Sequence, residues 1–437
     1  MANLEQTTPV GLGERLAQVR SSRLVRQNLV LFVGGLVAGV GGFVYHAIAG
    51  RVIPAQYGEV ASLVAAYAIG TTVTLILILI LARYAAKLRA EGNEGGIRYL
   101  IGRSLRLLAA PIALLLVLTI LLSGITQDFL HLDSRLPVIW LGVAVGAVWL
   151  VAIPRGLLQG TQAFGALSAN LALEMVVRTV LLVPLISLFG VTGSVVAVSA
   201  GAAIAFGVGM GSLRRLFTTP PQKVRMRTMA AFSITAAIGT LGIMLLYNQD
   251  VILAKHYLDP HAAGTYGALN KIGTILYFLS LSVSQVMFPR VVEAIATNTH
   301  PGRLLMLSVG LMCALGGGSL LVFGVLPGLV VRILFPAFPE ATALMLPMGV
   351  IGLALSLNNL LVQFFMAAHD RWFIPLLGAS CLLEGVLIFL FHRAVSQVVA
   401  DVLIAVLGLL GVLAIRCLIL LPRLHPQPVE EATLGAA

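Results

Sequence analysis

The chain is a succession of apolar runs, each about 20 residues long, separated by short polar segments. That is the length an α-helix needs to cross the hydrocarbon core of a bilayer. The runs are continuous and do not alternate apolar with polar positions, so they predict helices and not barrel strands. Twelve helices are expected, near 28–50, 60–82, 107–125, 137–155, 168–189, 191–212, 230–249, 266–288, 304–326, 343–366, 374–392 and 400–421. The pattern describes an all-α polytopic membrane protein.

Composition agrees. Of 437 residues, 59% are apolar and 10% charged, against about a quarter charged in soluble chains. The net charge of +11 is unevenly placed. Arg15, Arg20, Arg23 and Arg26 precede or open the first helix. Arg83, Lys87, Arg89, Arg98, Arg103 and Arg106 lie between the second and third, in a stretch that reads as an amphipathic surface loop. Arg214, Arg215, Lys223, Arg225 and Arg227 lie between the sixth and seventh. The alternate loops hold only Arg51, Arg135, Lys255, Arg332 and Arg393. The positive-inside rule makes the basic set cytoplasmic and puts both termini inside. The charge is then a topology signal and not a nucleic-acid footprint. The expected division is a cytoplasmic tail (1–27), a six-helix bundle (28–213), a cytoplasmic linker (214–229) containing Pro220 and Pro221, a second bundle (230–421) and a cytoplasmic tail (422–437). The run after Gln27 is too long for a secretory leader.

The two halves repeat. Tyr-Gly follows a proline and a short spacer at the start of both the second and the eighth helix, and Tyr57 and Tyr266 are 209 residues apart. Phe164 and Phe373, which follow the turns between the fourth and fifth and the tenth and eleventh helices, are again 209 apart. Glu174 and Glu384 are 210 apart. Six helices per unit give both units one orientation in the membrane, a parallel repeat with a site expected between the halves.

Polar residues inside the spans are the candidate chemistry. Asn170, Glu174 and Arg178 fall at i, i+4 and i+8 on one face of the fifth helix. A charge at a helix centre costs about 2.5–3.5 kcal/mol on insertion scales, so this stripe faces an interior or a hydrated cavity. Two readings are open: a self-neutralising Glu174–Arg178 staple, or a cavity lining. Glu384 repeats Glu174, with Ser380 one turn earlier, but Ile388 stands where the cation would be. A carboxyl so placed takes a proton, binds a cation or hydrogen-bonds a neighbouring helix. Glu384 and Asp250 are thus the candidate ion or proton site, although Asp250, near Lys255 at the outer end of the seventh helix, also reads as part of a solvated turn. The eighth helix carries Asn270, Lys271, Thr274, Tyr277 and Ser284; the second carries Tyr67, Thr71 and Thr74; the tenth carries Asn358, Asn359 and Gln363. Their recurrence in both halves favours a hydrated lumen over interhelical bonding.

Gly193, Ala197, Gly201, Ala205 and Gly209, and likewise Gly34, Ala38 and Gly42, recur every four residues and read as helix-packing stripes. Pro184 and Pro347 fall inside helices and can kink them. Cys313, Cys381 and Cys417 lie in apolar segments with no metal-ligand spacing. No phosphate-binding loop, nucleophile elbow or paired catalytic acids appear, so neither an enzyme, a cofactor nor a metal is expected.

At "AGRVIPAQYGEVASL", "LLQGTQAFGALSANLALEMVVR" and "YNQDVILAKHYLDPHAAGTYGALNKIG" the chain resembles the polysaccharide transport, or O-antigen flippase, branch of the multidrug/oligosaccharidyl-lipid/polysaccharide exporter superfamily. The resemblance runs from about residue 24 to 421. It implies two six-helix bundles around a cavity, as in multidrug (MATE) exporters, in the cell (inner or plasma) membrane. It implies a polyprenyl-diphosphate-linked oligosaccharide, for an O-antigen, capsule or exopolysaccharide, moved from the inner to the outer leaflet. Cavity cations meet the diphosphate in such proteins; Arg178 fits that role here, with Lys271, Lys255 and Arg51 nearer the outer mouth. The cavity set is then Arg178, Glu174, Asn170, Asn270, Lys271, Thr274 and Tyr277. Expected partners are the lipid-linked oligosaccharide, membrane lipids, a coupling H+ or Na+, and a glycan polymerase and glycosyltransferases. The runner-up is a cation-coupled drug exporter of the same superfamily. A membrane glycan enzyme is disfavoured by the short outer loops, and a non-transporting scaffold would make cavity mutations silent.

Overall fold

A computed structural model describes residues 23–224, 230–297, 299 and 301–424. Thirteen α-helices and four short 3-10 turns make up the described chain, with no strand among the described residues. In the first half α1 spans Arg23–Val52, α2 Tyr57–Gly70, α3 Thr72–Ala90, α4 Glu94–Leu130, α5 Leu136–Gly160 and α6 Phe164–Ser212. In the second, α7 spans Ala230–Tyr257, α8 Pro260–Ala296, α9 Pro301–Val325, α10 Pro327–Leu334, α11 Met345–Ala367, α12 Phe373–Leu390 and α13 Val395–Leu420. Ten segments among the described residues are long and apolar enough to cross a membrane. One of them is the whole of α6, whose 49 residues break at Gly190 (φ 54°, ψ −133°). Only glycine takes that backbone conformation without strain. Reading α6 as two spans and α8 as a further one brings the ten to twelve. The tails 1–22 and 425–437, and 225–229 of the linker, lie outside the described residues.

The small-residue stripe explains how α6 folds back on itself. A Cβ on Gly201 would sit 2.9 Å from the Glu174 carbonyl oxygen and 3.1 Å from Arg178 Cβ; one on Gly209 would sit 2.8 Å from Pro154 Cβ. A Cβ on Gly193 would overlap the Leu185 carbonyl. Each of these three glycines therefore rests on backbone or rigid side chain. Gly201→Val is expected to destabilise the protein by about 1–3 kcal/mol, the usual range for overpacking, read as a lowered melting temperature in detergent. The α1 stripe holds at Gly34, which abuts Ser168, but Gly42 has open space beside it; Gly41, one residue earlier, meets Met175 instead. Pro184 lies within the first limb of α6 and does not mark its break.

The basic stretch between the second and third predicted spans is helix almost throughout. α3 runs to Ala90 and α4 starts at Glu94. The reversal needs three residues because Gly92 takes φ 66° and the Asn93 side chain accepts the Gly96 N–H at 2.6 Å. α4 has 37 residues, about 55 Å at 1.5 Å per residue. Its basic first turns therefore extend beyond the apolar layer. The described part of the linker is tied there: Gln222 N–H donates to Gly95 O at 3.0 Å, and Arg98 stacks 4.3 Å over Phe217.

The internal repeat is visible in backbone detail. Phe164 opens α6 and Phe373 opens α12. The turns before them use Gln162 (φ 57°) and His369 (φ 56°) in the left-handed region. Their bonds match: Thr161, Gln162 and Ala163 N–H donate to Leu157, Gln159 and Leu158, as Ala368, His369 and Asp370 donate to Phe364, Met366 and Phe365. Within the first half α1 packs on α6, α6 on α5, and α5 on α3 and α4. Within the second α8 packs on α9 and α11, α11 on α13, α13 on α12 and α12 on α7. The halves meet where α2 packs on α7 and α8.

Candidate functional site

The buried polar groups fall into three sets. The first is the α6 stripe, and it divides. Asn170 and Glu174 are taken by Arg155 of α5. Arg155 Nε donates to Asn170 Oδ1 at 2.9 Å, and its terminal nitrogen donates to Glu174 Oε2 at 2.5 Å and to Asn170 O at 3.4 Å. Asn170 Nδ2 donates to Ala205 O, 2.7 Å away on the second limb of α6. These bonds staple α5 to both limbs of α6. The i,i+4 pair that the sequence offers, Glu174 with Arg178, is not the ion pair the fold makes, because α5 extends to Gly160 and carries Arg155 inside the bundle.

Arg178 is left without a carboxylate within ion-pair distance among the described residues, and its Nε has no hydrogen-bond partner. It is only 6% exposed. Its guanidinium lies 4.2 Å over the Tyr45 ring and 5.7 Å from that of Tyr67. The Tyr45 hydroxyl donates to Ser194 O at 3.0 Å, fixing the ring that supports the cation. Buried His46 is within electrostatic reach of both Arg178 and Lys271, and those two cations act on each other. Lys271, on α8 of the other half, has no carboxylate within ion-pair distance among the described residues. Cations from both halves thus approach each other, with Asp250 acting on Lys271 from the second half.

The second set lies in the second half. Asp250 is not in a solvated turn: it is buried, its Oδ2 accepting from the Tyr266 hydroxyl at 2.5 Å and from Asn270 Nδ2 at 3.1 Å. Asp250 Oδ1, Asn270 Oδ1, both oxygens of Glu384 and Asp401 Oδ2 have no hydrogen-bond partner among the described residues. Asp250, Glu384 and Asp401 all act electrostatically on the Tyr266 hydroxyl. The Gln249 amide lies beside Glu384 and donates to Cys381 O at 3.0 Å.

The third set closes one end, the outer end by the charge pattern. Lys255 pairs with Glu59 of α2 at 3.9 Å. Arg51 donates to Ile333 O. Tyr57 packs between Phe335 (5.4 Å) and Phe338 (5.6 Å). His256 stacks on Phe129 at 4.0 Å and its Nδ1–H donates to the Phe129 carbonyl at 2.6 Å. The two Tyr-Gly segments interlock: a Cβ on Gly58 would meet Ala263, and one on Gly267 would meet Ala61. The side-chain contacts between halves gather at this end, opposite the basic loops.

Several polar residues inside the spans hydrogen-bond to neighbouring helices. Thr74 donates to Val148 O at 3.3 Å, Asn358 to Val406 O at 3.0 Å, Asn359 to Ser284 Oγ at 3.4 Å and Ser380 to Ala405 O at 3.1 Å. Thr274 donates to Asn270 O within α8. The Tyr277 side chain lies outside the described residues. Sequence reasoning passed over Arg155, Tyr45, His46, Glu59 and Asp401. Arg155 was lost to a helix end set five residues early; the others are single polar or aromatic residues in apolar runs, with no pattern to mark them.

The family model described as "Polysaccharide biosynthesis protein" matches residues 24–295. No curated protein sequence matches the chain. Among solved structures, an inward-facing multidrug-resistance MATE transporter of the MOP superfamily aligns with a TM-score of 0.70 at 10% identity, covering 90% of this chain and 95% of that one. A MOP superfamily transporter from Pyrococcus furiosus aligns at 0.63, 12% identity, with 92% and 96% covered. The lipid II flippase MurJ, in an inward closed conformation, aligns at 0.61, 12% identity, with 90% and 87% covered. At these identities the likeness is one of fold.

Proposed function

Since the chain belongs to the polysaccharide biosynthesis protein family, a multi-pass membrane protein of transporter or flippase type and not an enzyme, we propose that it flips a polyprenyl-diphosphate-linked oligosaccharide from the inner to the outer leaflet of the cell membrane. The observation that carries this reading is Arg178, a buried cation held by two aromatic faces with no acid spent on it. A site for a cationic drug would present the opposite charge. Arg178, with Lys271 and His46, binds the diphosphate, while the sugar headgroup occupies the space between the bundles. The contacts at the outer end seal that side while substrate enters from the cytoplasm. Closure behind the substrate and opening ahead of it complete the exchange. Outward movement of the anion is favoured by a negative-inside potential, by about 2.3 kcal/mol per charge per 100 mV.

The unpartnered oxygens of Asp250, Asn270 and Glu384 form the coupling site for H+ or Na+. Glu384→Gln keeps the shape and removes the ionisable group. It is expected to lower ion-driven transport at least tenfold while leaving exchange without an ion gradient. A glycan polymerase and glycosyltransferases are the partners this role needs on either side of the step. The deciding experiment is reconstitution in liposomes with a fluorescent polyprenyl-diphosphate oligosaccharide, followed by quenching from one side. Flipping at rates above protein-free vesicles is expected. Export of cationic dyes with no flipping would replace this reading by the drug-exporter one.

A further inference from the structure

Glu174 and Arg178 are one turn apart on the same face of α6, with the acid N-terminal to the base, the favoured order for an i,i+4 pair. Gly201 brings the second limb of α6 against the backbone of both. Yet Glu174 is bound to Arg155 at 2.5 Å. Arg155 is fixed as well, since Asn170 accepts from two of its nitrogens. All three charges act electrostatically on the Tyr67 hydroxyl, so they occupy one neighbourhood.

A second buried arginine is costly if the aim is only neutrality, because a Glu174–Arg178 pair would be neutral without it. With Arg155 present the cluster carries one net positive charge, located on Arg178. The tyrosine faces stabilise that cation without cancelling it, as a carboxylate would. We propose that Arg155 is a positioning residue: by occupying Glu174 it keeps the carboxylate from neutralising Arg178, and so keeps the anion site charged. This rests on the reading of Arg178 as the anion contact. Arg155 does not touch substrate in this account; it acts through Glu174.

The test is titration of inorganic pyrophosphate into the full-length, detergent-solubilised protein by calorimetry, with melting temperature recorded for each variant. Arg155→Met is expected to weaken binding about tenfold, the scale of one charge-assisted contact, as Glu174 turns to Arg178. Glu174→Gln is expected to tighten binding while lowering the melting temperature, since it leaves Arg155 unpaired. A purely structural ion pair would move both in the same direction. The double variant Arg155→Met/Glu174→Gln is expected to bind within about threefold of the parent protein. Weak binding that Glu174→Gln does not restore in the double variant would overturn the proposal, as would Glu174→Gln weakening binding alone. Should Arg155→Met not fold, the opposite signs expected of Glu174→Gln still decide the matter. Unchanged binding in Arg178→Ala would instead overturn the anion-site reading itself.

Discussion

Replacing Arg178 with alanine is expected to reduce flipping of a polyprenyl-diphosphate oligosaccharide by about 10- to 100-fold. The estimate follows from one lost hydrogen-bonded contact to a charged group, about 1.5–3 kcal/mol. Folding should survive the change. The guanidinium Nε makes no hydrogen bond among the described residues, and what the fold loses is the contact with Tyr45 and Tyr67, about 1–2 kcal/mol when desolvated. Arg178→Lys is expected to fall between the two, because an ammonium keeps the charge but neither the planar fork nor the stacking. The measurement is the initial flipping rate in proteoliposomes, normalised to folded protein by size-exclusion profile and melting temperature. Wild-type flipping by a folded Arg178→Ala protein would remove Arg178 from the mechanism and leave Lys271 to be examined alone.

The architecture was legible because membrane helices advertise themselves by length, and because the halves share landmarks. The break at residue 190, the repeat of Phe164 and Phe373 and the α6 packing stripe can all be read from spacing alone, although spacing sets the helix opened by Phe164 four residues late. Partners were not legible. Spacing along one helix proposes Glu174 with Arg178, but a residue on a neighbouring helix wins when the bundle brings Arg155 within 2.5 Å. The same limit applies to Lys255, which sequence proximity pairs with Asp250 and which the fold pairs with Glu59. The polar residues of the tenth span illustrate a third case. Asn358 and Asn359 look like lumen residues, yet each holds a neighbouring helix. A polar group in an apolar run must find a partner, and the sequence alone does not say whether that partner is water, substrate or another helix.

The two halves, alike in backbone, differ in charge. The first holds Arg155 and Arg178 around one acid, Glu174; the second holds Lys271 with Asp250, Glu384 and Asp401, whose carboxyls each keep at least one oxygen without a hydrogen-bond partner among the described residues. Ser380 and Asn170 keep equivalent roles, each donating to a backbone carbonyl of a neighbouring limb or helix. An anion site centred on Arg178 and reached by Lys271 from the other half, and an ion site in the second half, can then be coupled by the motion of the halves against each other.

Leucine at Gly267 or Gly58 is expected to prevent closure of the outer end and so reverse the accessibility of the cavity. A Cβ at Gly267 would lie 2.7 Å from Ala61 Cβ, and one at Gly58 would lie 3.0 Å from both Ala263 Cβ and the Gly264 backbone nitrogen. Neither a methyl group nor a backbone nitrogen can rotate away, so the halves must part to make room. The contacts between Glu59 and Lys255, and between Tyr57 and the Phe335 and Phe338 rings, would separate with them. The measurement uses a single cysteine at position 178 in a background lacking Cys313, Cys381 and Cys417. In that background it is labelled by a membrane-impermeant thiol reagent from the cytoplasmic side; with Gly267→Leu, labelling shifts to the outer side. Because position 178 itself is altered, flipping is measured separately in chains that keep Arg178, where Gly267→Leu is expected to lower it at least tenfold. Gly124, with open space beside it, supplies the control, and Gly124→Leu leaves flipping as it was. Flipping near the parent rate in Gly267→Leu, with unchanged labelling at 178, would show that this end need not close during transport. The Tyr-Gly repeat would then be a packing device and not a gate.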